Sequence, residues 1–312
     1  MMTFRSILCA VDFSEHSRHA LRWADRLRSA DGRLTVVTAV DPLLSAAART
    51  RLNFDLLTAV EQELQEFISS TLSNSSGPTT YRAIVCEGQP DLVIRKVAGQ
   101  EQADLIVVGT QGLGGIRKWL LGSTTQQVIR ATRIPVFAVP LLESPESRET
   151  PNARSFDMTR ILAATDFSVP GNYAVSCAAD LAGAWGASLM VAHIVPAVAI
   201  PPRWRSYVEG VEEENVERAR ARLEQLKAGL SIANGLEPIV TVGRPADGIS
   251  EIALQRHAQL IVLGIVGDAW DMAHRPGSIA YRVLCLAHVP VLAIPPPGHA
   301  ASPSSGHEDG SA

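Results

Sequence analysis

Arg5-Ser-Ile-Leu-Cys-Ala-Val-Asp12-Phe-Ser, near the start of the chain, returns as Arg160-Ile-Leu-Ala-Ala-Thr-Asp166-Phe-Ser. Asp104-Leu-Ile-Val-Val-Gly109 returns as Gln259-Leu-Ile-Val-Leu-Gly264, and Gly88-Gln-Pro90 as Gly243-Arg-Pro245. Ile134-Pro-Val-Phe-Ala-Val-Pro140 returns as Val289-Pro-Val-Leu-Ala-Ile-Pro295. The first pair is offset by 154 positions and the others by 155, so one fold has been duplicated. Each copy alternates short continuous apolar runs with longer segments of helical period. That pattern belongs to an α/β fold in which a parallel sheet is covered by helices on both faces.

The boundaries follow from the repeat. Residues 1–140 form the first domain, the polar stretch 141–157 reads as a linker, and 158–296 form the second domain. The end, 297–312, has no periodic apolar pattern and is expected to be a disordered tail. Strands are expected in copy one at Ser6–Val11, Arg33–Val40, Tyr81–Cys86, Leu105–Val108 and Val136–Val139. A helical stripe of Leu57, Val60, Leu64, Phe67 and Thr71 has its counterpart in Val208, Val211, Ala219, Leu223, Leu226 and Leu230, and both read as core packing. The proline-bounded strands near Ile134–Pro140 and Val289–Pro295 suit sheet edges, where a proline leaves no ladder partner unmade.

Composition bounds the function. Of 312 residues, 46% are hydrophobic and 19% charged, enough apolar surface for two cores without staples. A formal net charge of −4 offers no positive field for nucleic acid. Cys9, Cys86, Cys177 and Cys285 show neither a CxxC nor metal-ligand spacing, and read as buried free thiols. The apolar stretch Leu181–Ile200 is broken by Gly183, Gly186, His193 and Pro196, which fits a helix end and a buried strand better than a membrane span. The start runs directly into a strand, with no signal-peptide pattern, so a cytoplasmic location is expected.

The chemistry lies after the fourth strand. Gly109-Thr-Gln-Gly112 is followed by nine residues and then Gly122-Ser123; copy two repeats the spacing with Gly264, Gly267, Gly277 and Ser278. Phosphate oxygens need several backbone N–H groups close together, and glycine offers its amide without an obstructing Cβ. Gly122-Ser123 also opens a helix expected over Thr124–Thr132, whose free amides and dipole favour an anion. The competing reading is a plain turn with Ser123 as N-cap. Asp12 ends the first strand, where its carboxylate can accept from ribose hydroxyls or cap the next helix together with Ser14. Val40, at the end of the second strand, would present backbone to an adenine edge.

On these residues the chain resembles the universal stress protein family in both copies, nearly end to end. The resemblance implies two tandem open five-stranded parallel-sheet domains of the adenine nucleotide alpha hydrolase-like type, pairing through their last strands as an intramolecular pseudo-dimer. It further implies an ATP site (with AMP or ADP as variants, and Mg2+ accompanying the phosphates) at Ala10, Asp12, Val40, Gly109, Gly112, Gly122, Ser123 and Thr124. The corresponding positions of copy two are Asp166, Ile194, Gly264, Gly267, Gly277 and Ser278. Ala10 and Ala164 depart from the family, in which many members carry proline two residues before the aspartate.

No G-x-G-x-x-G follows the first strand and no Walker loop is present, which excludes dinucleotide dehydrogenases and P-loop NTPases. No carboxylate pair or nucleophilic triad stands near the glycine loop, so the chain reads as no enzyme, or at most a slow ATPase. A stress-response module regulating another protein is therefore expected, against the alternative of an interaction scaffold that no longer binds nucleotide. A homodimer of whole chains is left open. His16 and His19 are read as lining a solvated helix face. Copy one is expected to bind more tightly. Its nine-residue span holds Arg117 and Lys118, whereas copy two has Asp268 and Asp271 there, and Ile279-Ala280 replace Thr124-Thr125.

Overall fold

The structure, a computed structural model, describes residues 4–52, 54–73, 80–111, 121–140, 158–197, 203, 210–230, 235–266 and 278–297. The expected linker 141–157, nearly all of the tail, Val208, Gly112, Gly267 and Gly277 lie outside the described residues.

The first copy runs β1 (Phe4–Ala10), α1 (Glu15–Leu27), β2 (Arg28–Val40), α2 (Pro42–Leu52), α3 (Leu56–Leu72), β3 (Tyr81–Glu87), α4 (Pro90–Gln100), β4 (Leu105–Gly109), α5 (Ser123–Ala131) and β5 (Val136–Val139). The second runs β6 (Arg160–Ala164), α6 (Val169–Trp185), β7 (Ser188–Pro196), α7 (Val211–Ala228), β8 (Leu236–Gly243), α8 (Pro245–Gln255), β9 (Leu260–Gly264), α9 (Ser278–Leu286) and β10 (Val291–Ile294). The described part of the stretch Leu181–Ile200, residues 181–197, holds the end of α6, a left-handed Gly186 cap (φ 67°) and β7. No helix among the described residues is long and apolar enough to cross a membrane.

The ten strands among the described residues form one sheet in the order β3-β2-β1-β4-β5-β10-β9-β6-β7-β8. Pairing is parallel within each copy and antiparallel between β5 and β10, the pairing of last strands that the family resemblance implies. Phe137 faces Leu292, flanked by Val136 with Ala293 and Ala138 with Val291. Phe137 and Leu292 are repeat equivalents, so the pseudo-two-fold axis passes between them. Side chains alternate between faces along each strand. Ile7, Cys9, Leu105 and Val107 join α1, α3, α6 and α7 in one core, and Leu8, Ile106 and Val108 join α4, α5, α8 and α9 in the other. Both cores run across the seam.

Local signals set the helix starts. Ser14 and Ser168 cap α1 and α6, accepting from the backbone N–H of Ser17 and Gly171 at 3.2 and 3.0 Å. Pro90 and Pro245 stand at the first positions of α4 and α8, where a missing N–H costs nothing. At the opposite end of the sheet, the Asp104 carboxylate accepts from the backbone N–H of Arg5 and Ser6 at 2.7 and 3.1 Å. Its equivalent, Gln259, accepts from those of Thr159 and Arg160 at 2.7 and 3.2 Å.

Some expectations shift. The second strand begins at Arg28 rather than Arg33, because its pairing jumps from Phe4↔Arg28 to Ser6↔Arg33 and takes up residues 29–32 as a bulge. On α7, Ala219 and Leu223 are buried, but Val211 is 44% exposed and belongs to no core. Of the cysteines, Cys9 and Cys177 are buried, whereas Cys86 and Cys285 are only half so; all four are free thiols. Gly183, inside α6, has no atom within 4 Å of an added Cβ. Gly183→Ala is therefore expected to stabilise the protein by about 0.5–1 kcal/mol, seen as a higher thermal midpoint.

Candidate nucleotide site

Strand order reverses between β1 and β4, and again between β9 and β6, so each copy has a crevice at the carboxyl edge of its sheet. Ala10 ends β1 half-buried at this crevice in copy one, and Ala164 ends β6 buried in copy two. Asp12 follows two residues after β1. Its Oδ1 accepts from the backbone N–H of Ser14 at 3.1 Å and from the Ser14 hydroxyl at 2.5 Å. Asp166 does the same with Ser168, at 3.0 and 2.5 Å. The aspartate thus braces the helix-capping serine, and its carboxylate stays at the rim, half-exposed in copy one and exposed in copy two.

Between them stands a residue whose role periodicity does not reveal. Phe13 and Phe167 both adopt left-handed backbone, with φ of 64° and 65°. A bulky side chain rarely enters that region, and tertiary contacts hold it there. The Phe13 ring meets Phe67 edge-on at 5.5 Å, with the Arg18 guanidinium 4.4 Å above Phe67. Phe167 stacks on His193 at 4.4 Å, with the Arg222 guanidinium over it at 4.3 Å. The sign available in the sequence was the repeated Asp-Phe-Ser triplet itself.

Gly109 ends β4 directly under the first turn of α1. A Cβ there would stand 3.0 Å from His16 Cβ and 3.2 Å from the His16 backbone carbon, so glycine is what lets the helix approach. Gly264 does the same beneath Pro170, whose carbonyl oxygen would be 3.1 Å from an added Cβ. The backbone N–H of Gly122 returns to the Thr110 carbonyl at 2.8 Å, bringing the start of α5 to the crevice. Gly122, not Ser123, is the N-cap of α5, and it makes no side-chain cap hydrogen bond. Ser123 is the first helical residue and exposed; Thr124 is half-buried beside it. The first hydrogen bond within the helix is donated by Gln126 to Gly122, leaving the N–H groups of Ser123, Thr124 and Thr125 ahead of it. Gly122 has φ −58° and ψ 141°, which any residue adopts, so its backbone does not demand glycine.

Three expectations are corrected here. The Thr125 hydroxyl is buried and donates to the Gly109 carbonyl at 2.7 Å, so it ties α5 to β4 and is no donor to a ligand. His16 and His19 do not line a solvated face. Both are half-buried, and the Trp23 indole donates to His19 Nε2 at 3.3 Å. Burial, with Arg22, Arg26 and His16 nearby, pushes His19 down to about 4. The third correction concerns Ile194. Val40 pairs with Glu87, and the residue in the same place of copy two is Val195, paired with Val242. Ile194 lies one residue earlier on β7 with its side chain in the opposite core, the place held by Ala39 in copy one. The Val40 carbonyl also accepts from the Gly88 backbone N–H at 3.0 Å.

In copy two, Ser278 opens α9 and is exposed. At the carboxyl edge of copy one, Gly109 thus lies against α1, two residues on from Asp12's serine, and is tied to α5 through Thr125; in copy two Gly264 lies against the start of α6, close to Asp166 in the chain. Among the described residues, no group of histidine, cysteine or carboxylate side chains is arranged to hold a metal ion.

Comparison with known proteins agrees with this architecture. The model of the universal stress protein family matches residues 3–140 and again 158–295, so the chain belongs to that family and carries its domain in tandem. It is 28% identical to a universal stress protein of Mycolicibacterium smegmatis over 302 residues, covering 93% of this chain and 97% of that one. A Thermus aquaticus universal stress protein is 33% identical over 137 residues, which is 44% of this chain and 98% of its own length. Among solved structures, a functionally unknown protein of Pseudomonas aeruginosa PAO1 superposes with a TM-score of 0.59 at 20% identity, over 94% of this chain and 93% of that one. A universal stress protein of Archaeoglobus fulgidus superposes at 0.58 and 19% identity, over 93% and 96% of the two chains.

Proposed function

We propose that the protein is a nucleotide-dependent regulatory module whose first copy binds ATP as a ligand and hydrolyses it slowly or not at all. The observation that carries this reading is the start of α5. Its leading amides have no side-chain cap hydrogen bond, the Gly122 N–H ties them to Thr110 just past the end of β4 at the switch point, and the glycine is one that its own backbone geometry does not require. A triphosphate would meet the amides of Ser123 and Thr124 and the Ser123 hydroxyl. Asp12 offers its carboxylate to ribose hydroxyls. The backbone near Val40 would face the base, and Mg2+ would be carried by the phosphates. AMP and ADP present the same base and sugar with fewer phosphate contacts.

Denaturing the purified protein and separating the released material by chromatography is expected to yield an adenine nucleotide, and calorimetry to show heat on adding ATP to the stripped chain. A chain that carries no nucleotide and gives no heat would instead be an interaction scaffold. The span from Gly109 to Ser123 carries no histidine, aspartate or glutamate in sequence. Turnover is therefore expected far below the usual enzymatic range of about 1–1000 per second. Turnover of several per second that Asp12→Ala or Ser123→Ala removes would make it an ATPase.

A further inference from the structure

The two crevices differ at the residue wedged over the last glycine of the central strand. In copy one it is His16; in copy two it is Pro170. His16 sits in the first turn of α1, packed on Gly109, with Asp12 and the Gln111 side chain close enough to its imidazole to favour the charged form. It thus bridges the aspartate and the strand end that leads into the glycine loop, at the point where the strand order reverses. We propose that His16 is a nucleotide-binding residue of copy one, one that takes up a proton as the phosphates arrive and so makes ATP binding there tighter in mildly acidic conditions. This rests on the reading of the crevice as an ATP site.

The charged and titratable groups around it give the direction. Burial lowers the pKa of His16 below its ordinary value; Asp12, the Gln111 side chain and Glu15 act against that without overcoming it, and His19 lies near on the same helix. In the empty site the imidazole is therefore neutral at neutral pH. A polyanion close to it favours the imidazolium and raises its pKa. Binding and protonation are then linked, and affinity climbs as pH falls through the interval between the pKa of the empty site and that of the occupied one. Pro170 cannot do this. Copy two does hold a half-buried histidine, His193, but its Nδ1 bonds the Thr165 carbonyl at 2.9 Å and its ring stacks on Phe167, with Arg222 and Asp166 as its charged neighbours.

The test is ATP calorimetry on the full chain at about pH 8 and about pH 5.5, in two buffers of different ionisation enthalpy, for the wild type and His16→Asn. The tightest site of the wild type is expected to strengthen by about three- to tenfold at the lower pH and to absorb protons on binding. His16→Asn is expected to lose that excess, leaving only the titration of the nucleotide's own terminal phosphate, which occurs near about pH 6 and is common to both proteins. If that variant does not fold, His16→Gln and the gain of proton uptake in Pro170→His still decide. An unchanged pH dependence in His16→Asn, or no proton uptake by the wild type, overturns the role of His16 while leaving ATP binding intact. Absence of ATP binding at both pH values overturns both readings together.

Discussion

Replacing Phe137 by alanine is expected to lower the unfolding free energy by about 3–5 kcal/mol. The side chain is fully buried on β5, paired with Leu292 across the pseudo-two-fold axis and packed against Trp23 at a centroid distance of 5.7 Å. Truncation loses the transfer free energy of the ring and leaves a cavity between two sheet halves held in register by their ladders. Phe137 and Leu292 belong to the same continuous core, so the loss falls on the contact between copies as well as within copy one. Urea denaturation checks it: the midpoint should drop with little change in slope. Phe54→Ala, at a site 46% exposed, should cost well under half as much. Equal effects from the two would mean that the seam contributes no more than the surface.

The second large effect concerns the ligand. Gly122→Val is expected to weaken the tightest ATP site by about 100-fold, the consequence of losing two charge-assisted hydrogen bonds at about 1.5 kcal/mol each. The backbone at Gly122 tolerates valine, with φ −58° and ψ 141°, so the chain should fold. The new side chain would stand over the amides of Ser123 and Thr124. Gly277→Val, the matching change in copy two, should leave that tightest site in place, because in sequence the span before Gly122 carries Arg117 and Lys118 where the span before Gly277 carries Asp268 and Asp271, all four outside the described residues. Of the two threonines that copy two lacks, Thr125 does not count as a donor, since it serves the Gly109 carbonyl and Ala280 fills the same buried place; Thr124, replaced by Ile279, still does. Calorimetry on each variant separates the sites. A tight site that survives Gly122→Val and vanishes with Gly277→Val would reverse the assignment.

Much of the architecture was legible because its signals are local and periodic. Continuous apolar runs marked both-face-covered parallel strands, and the proline-bounded runs ending each repeat marked the edge of each copy, while their pairing as β5 and β10 was implied by the family resemblance alone. Val40 and Ile194 show the limit. Counting from the aspartates makes them equivalent, but one extra residue between the first helix and the second strand of copy two moves the true counterpart to Val195. A sequence offset changes by one without any local sign, whereas a strand register cannot, since a single-residue slip turns every side chain to the opposite core.

By itself, then, the sequence determined the duplication, the α/β class, the strand edges and the glycine-rich loops, all of which are written in spacing and residue type. Only the tertiary structure decided that His16 lies half-buried on Gly109, that Thr125 turns inward, that Gly122 caps α5, and that Phe13 and Phe167 hold a left-handed turn. Each of these depends on how closely one element crosses another at the carboxyl edge of the sheet. That distance is set by packing between residues far apart in the chain, which no local pattern encodes.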